Sequence, residues 1–146
     1  MDRLALLSGK FDRRLVRRSN NADFKPNGLW YSCGRAWLKW LAAEEPSWIT
    51  KDRALYKLDI DMSQLLRITT VRMLDAFEAT YRGPGASGQA GWTIDWGAVA
   101  ESFMGIEICP YQYERRHTSL WYYGWDVASG CIWDPRAILG WTRVPL

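Results

Sequence analysis

Apolar residues along this chain fall into short runs with two different periods. Residues 55–60 alternate, with Leu55, Lys57 and Asp59 set against Tyr56, Leu58 and Ile60, and this predicts a half-buried strand. Residues 35–45 place Trp37, Leu38, Trp40 and Leu41 at i, i+1, i+3 and i+4, the spacing of an amphipathic helix that Pro46 ends. Val71, Leu74, Ala76 and Phe77 share one face of a second helix over 70–81, for which neither Thr70 nor Asp75 reads as a clear cap. Trp96, Val99, Ala100 and Phe103 mark a third, with Asp95 at its N-cap position. Shorter runs at 14–18, 29–32, 65–68 and 106–109 predict strands, and in the last Glu107 points opposite to its apolar neighbours. Turn-rich residues 20–27, with Pro26-Asn27-Gly28, and the glycine-rich loop 82–91 punctuate the pattern. Short strands with interspersed helices give an α+β fold class. No repeat or shift of composition divides the 146 residues, so 1–146 reads as one domain.

Composition adds an aromatic excess. Ten Trp and seven Tyr occur in a chain that is otherwise ordinary, 48% apolar and 24% charged. Such rings build either an aromatic core or a stacking surface for a planar ligand. The densest stretch, 121–133, reads as core first and as lining of an acceptor pocket second. Cys33, Cys109 and Cys131 are odd in number and unclustered, which argues against a disulfide framework or a structural zinc site and points to a reducing compartment. No metal is expected. No apolar run approaches the ~18 residues of a membrane span, and residues 1–20 lack a secretory core, so the expected location is cytoplasmic, with no membrane partner. His117 is the only histidine, and nothing in the sequence brings it to a cysteine to make a nucleophilic pair.

Three segments, taken in order, resemble the catalytic fragment of diphtheria-toxin-like ADP-ribosyltransferases. The first is Gly28-Leu29-Trp30-Tyr31-Ser32, followed by the aromatic helix through Trp40. The second is 55–60 followed by Leu65-Leu66-Arg67-Ile68. The third is Asp95-Trp96-Gly97-Ala98-Val99-Ala100 leading to Gly105-Ile106-Glu107-Ile108. The resemblance covers roughly residues 15–110 and rests on order and spacing. It implies two small packed antiparallel β-sheets with flanking helices, NAD as co-substrate, and Glu107 as the catalytic carboxylate. It also implies a nicotinamide sandwiched between Trp30 on the strand and Trp40 or Trp37 on the helix, beside Gly28 and Ser32. The family's first-strand basic residue, followed by a small one, is best matched by Arg18-Ser19, with Arg17 the next candidate. The sequence departs from the family's histidine at that position. Gly105, two residues before the glutamate, departs from the arginine-modifying branch, which disfavours protein arginine as acceptor.

The chemistry asks for these residue types. Breaking the nicotinamide–ribose bond develops oxocarbenium-like charge, which an adjacent carboxylate stabilises; removing such a group costs ~10²–10³ in rate. Flat rings orient the cationic leaving group and add a cation–π attraction of about 1 kcal/mol. Net charge is only +3, but Arg3, Lys10, Arg13, Arg14, Arg17 and Arg18 crowd the first twenty residues. That segment favours nucleic acid, RNA or DNA, over protein as the macromolecular acceptor. The expected role is a toxin, defence or phage factor, with an antitoxin as a further partner. The competing reading is a non-enzymatic nucleic-acid-binding module built on the same aromatics and basic segment.

Overall fold

The run Leu29–Cys33 is apolar on both of its faces, and the fold puts it in the middle of a sheet, where both faces are covered. The computed structural model describes residues 1–16, 25–49, 52–83 and 93–146. Seven strands are present among them: β1 (Arg3–Ser8), β2 (Leu29–Cys33), β3 (Arg53–Ile60), β4 (Leu65–Ile68), β5 (Gly105–Ile108), β6 (Ser129–Ile132) and β7 (Ile138–Val144). They form one curled mixed sheet in the order β4-β5-β6-β2-β1-β3-β7. Three α-helices, α1 (Ala36–Glu44), α2 (Val71–Tyr81) and α3 (Trp96–Ser102), complete the α+β fold. No helix among the described residues is long and apolar enough to cross a membrane.

The expected pair of separate antiparallel sheets is corrected to a single sheet. The reason is β2, which pairs with β6 on one side and β1 on the other and so joins the two halves. Nor is the sheet wholly antiparallel. β4 and β5 run parallel because the chain between them crosses over through α2 and α3, as a parallel pair requires. The strand expected at 14–18 is not found in its described part, where Asp12 caps a 3-10 turn at Arg13–Leu15. The first strand is instead β1, which lies nearer the start of the chain.

Strand alternation divides the core in two. One face carries Ala5, Leu29, Tyr31, Cys33, Tyr56, Leu58, Leu65 and Ile132, covered by Phe11 and Val16. The opposite face carries Ile68, Ile106, Ile108 and Cys131 beneath α2, α3 and the 3-10 helix Leu120–Gly124, with Leu4, Leu6 and Leu55 beneath α1. Here the aromatic excess becomes core. Trp96, Trp121 and Trp125 are fully buried, and Phe77 and Trp96 meet Trp121 at ring-centroid distances of 5.5 and 6.1 Å in edge-to-face fashion. Trp121 donates its indole N–H to Glu78 at 2.9 Å, and Trp133 donates to the Phe103 carbonyl at 2.8 Å.

The helix ends follow local chemistry. Asp95 accepts from the Ala98 N–H at 3.1 Å and caps α3 as the sequence predicts. Thr70 also caps its helix, accepting from the Met73 N–H at 3.1 Å. That cap is hidden in the sequence because Met73 stands where a capping box would have Glu or Gln. Across the sheet, Phe11 packs on Trp141 at 4.5 Å. Arg13 lies 5.0 Å over the same ring and donates to the Ile138 and Leu139 carbonyls at 2.9 and 3.3 Å.

Gly130 of β6 stands directly between Tyr31 of β2 and Glu107 of β5, its register partners on either side. A Cβ at Gly130 would overlap the ring and hydroxyl of Tyr31. Gly130→Ala is therefore expected to destabilise the fold by about 1–3 kcal/mol, the usual cost of forcing extra volume into a packed site. Urea unfolding checks this, and an unchanged midpoint would show that Tyr31 does not lie across the glycine.

Candidate active site

Glu107 is the carboxylate that an otherwise apolar strand, Gly-Ile-Glu-Ile, carries into the sheet; it keeps 2% exposure. Three other strands contribute its partners. Arg3, at the head of β1, donates from Nε to Oε2 at 2.6 Å and from Nη2 to Oε1 at 3.1 Å, a two-point guanidinium–carboxylate contact. Tyr31, fully buried on β2, donates its hydroxyl to Oε2 at 2.7 Å. Arg67, the register partner of Glu107 on β4, places Nη2 3.7 Å from Oε1. These residues are up to 104 positions apart in sequence, and the sheet brings them to one face.

The electrostatics follow from burial and from this one negative charge. Arg3 is held above its ordinary pKa, first by its hydrogen bond to Glu107. Burial pushes the Tyr31 hydroxyl well up, and the nearby Glu107 charge pushes it further. Burial likewise raises the Cys33 thiol, again with help from Glu107, and raises Cys131 and Tyr122 on the other side of the sheet. Tyr31 therefore stays protonated and remains a donor, and the three cysteines are free thiols. Among the described residues no group of three or more His, Cys, Asp or Glu side chains could hold a metal ion.

The other expected site residues lie elsewhere. Arg17, Arg18 and Ser19 fall outside the described residues. The basic residue on the first strand is Arg3, which sequence reasoning passed over; its signal was a lone arginine heading the apolar run Leu-Ala-Leu-Leu. Trp30 points to the face opposite Glu107, since its register partner Cys131 and that residue's partner Ile106 belong to the helix-covered core. The aromatic strand residue that meets Glu107 is its neighbour Tyr31. Trp37 and Trp40 pack with Leu4, Leu6, Leu41 and Leu55 on that same far side. Ser32 is buried there too, and its hydroxyl accepts from the Trp37 N–H at 2.9 Å at the start of α1. Gly28 is held by packing, because a Cβ there would overlap the Ile132 carbonyl. The expected sandwich of Trp30 with Trp40 or Trp37 is thus separated from Glu107 by the sheet itself.

Two expectations about stability follow. Arg3→Met leaves Glu107 buried without its main counter-charge and should cost up to about 3 kcal/mol, reduced from the fully buried value because the Arg3 side chain keeps 17% exposure. Adding Glu107→Leu should recover much of that loss by removing both charges; a double variant less stable than Arg3→Met would refute the pairing. The raised thiols and phenols also give a sign. Between its unfolded and its raised folded pKa, each such group holds more protons in the native state, so stability falls as pH rises. The contribution of these groups should be flat at neutral pH, decline as pH passes about 8.5, where unfolded thiols ionise, and decline more steeply above about pH 10 with the tyrosines. Denaturation at stepped pH tests this, and Tyr31→Phe should shallow the upper part of the decline.

Compared with known proteins, the chain finds no matching family model, no matching curated protein and no matching solved structure.

Proposed function

We propose that this chain transfers ADP-ribose from NAD to a macromolecule, with Glu107 as the catalytic carboxylate. The observation that supports the reading is the meeting of a basic residue of the first strand, a tyrosine of the second and the glutamate of the fifth, Arg3, Tyr31 and Glu107, at one point. The resembled family draws its cofactor-anchoring residue, strand aromatic and catalytic carboxylate from strands in that order. Arg3 takes the role expected of Arg18 or Arg17, and Tyr31 the place expected of Trp30.

Each residue then has a task. Tyr31 and the Arg3 Nε hold Oε2 and fix the carboxylate's orientation, which removes the cost of ordering it during the reaction. Oε1 has looser contacts, at 3.1 Å from Arg3 and 3.7 Å from Arg67, and is the oxygen that turns to a ribose hydroxyl and faces the developing positive charge. Arg67 is 48% exposed and stands at the solvent side of the cluster, where a pyrophosphate draws its guanidinium outward.

The test is nicotinamide release from NAD by the purified protein, with mass spectrometry of RNA, DNA and protein for an added ADP-ribose. Glu107→Gln should lose at least ~10² in rate, with thermal unfolding showing that the variant is folded. Glu101→Gln and Glu114→Gln should keep their activity. Arg67→Ala should raise KM for NAD more than it lowers kcat. Trp30→Phe should retain turnover, since its ring lies across the sheet. A folded Glu107→Gln variant with full activity would end this reading.

A further inference from the structure

The face of the sheet away from Glu107 holds a second feature, a cavity of 260 Å³ walled by Trp30, Trp37, Trp48 and Trp125, with Lys25 and Asp126 at its lining. We infer that this cavity binds one unpaired base of single-stranded nucleic acid. The inference stands on the cavity alone and does not depend on the transferase reading.

Size comes first. The volume lies just below the roughly 300–1,000 Å³ of drug-sized ligand pockets, so it takes a single ring system and not a whole dinucleotide. Shape comes next. Trp30 and Trp125 meet at 4.8 Å with their planes 72° apart, a corner in which a flat ligand lies face-on to one indole and edge-on to the other. Trp125 is buried, its indole N–H enclosed, so it forms the apolar floor of that corner.

Charge selects the class of ligand. Lys25 lies 5.3 Å over the Trp30 ring, and Arg53 lies 5.6 Å over the ring of Trp48. Asp126 is within 3.4 Å of Arg116, which offsets its charge. An aromatic box made for a quaternary ammonium offers empty ring faces to a cation, whereas here the chain's own cations cover two of the four rings. Flat apolar walls with Lys25 at the lining and Arg53 behind Trp48 suit a base whose backbone phosphates reach these cations, which also favours a strand over a free mononucleotide.

The measurement is fluorescence anisotropy of labelled eight-nucleotide RNA and DNA single strands, without NAD. Trp48 is 47% exposed and Lys25 lies at the surface, so Trp48→Ala and Lys25→Glu should leave thermal unfolding unchanged. Each should weaken binding about tenfold. Arg72→Glu, on the exposed face of α2, should change it by less than about twofold. The inference is overturned by no binding, by duplex bound as tightly as single strands, or by equal losses in all three charge and ring variants. AMP binding as tightly as the strand, or displacement of the strand by tetramethylammonium, would also overturn it.

Discussion

A carboxylate buried at 2% exposure is costly unless its oxygens are paired, and the central strands are organised around meeting that demand for Glu107. Its partners arrive from β1, β2 and β4, so the pairing ties together both halves of the sheet. Gly130 makes this possible. With no side chain on β6, Tyr31 reaches across an intervening strand to a residue two strands away. One glycine, one tyrosine and one arginine thus set the register in which β1, β2, β5 and β6 fit together, since a slip of one residue would carry Tyr31 or Glu107 to the wrong face.

The two faces of the sheet do different work as a result. The Glu107 face concentrates charge: one buried anion with a guanidinium on each side. The opposite face concentrates rings, most of them consumed by packing under α2 and α3. Where the tryptophans of β2, α1 and the turn before β6 diverge, an aromatic-walled cavity opens. Charge and rings, which the sequence invites one to combine, are partitioned by the backbone between two surfaces.

How much of this can be read in the sequence depends on how each strand is buried. β3 is legible because Lys57 and Asp59 are exposed while Tyr56, Leu58 and Ile60 are not, so alternation is written in its residues. Glu107 is legible as the carboxylate in an apolar strand. β2 is not, because a strand covered on both sides has no polar face, and Trp30 and Tyr31 are equally plausible inward residues until pairing fixes the parity. β1 is obscured by its continuous apolar run, and the denser arginines at 13–18 resemble a first basic strand more closely than Arg3 does. β7 is hard to read because Leu139, Trp141 and Arg143 do not alternate cleanly with buried neighbours. The join between the two halves of the sheet is a long-range pairing and leaves no local pattern at all.

The clasp that Arg13 and Phe11 make on Trp141 bears on how this chain behaves at high concentration. Among the described strands β7 is outermost, and the free edge of such a strand can accept a strand from another copy, the first step toward sheet-to-sheet polymerisation. Arg13 donates to two carbonyls at the strand's beginning and lies over the nearby Trp141 indole. Arg13 thus covers the beginning of that edge, the place where an incoming strand would have to start its pairing.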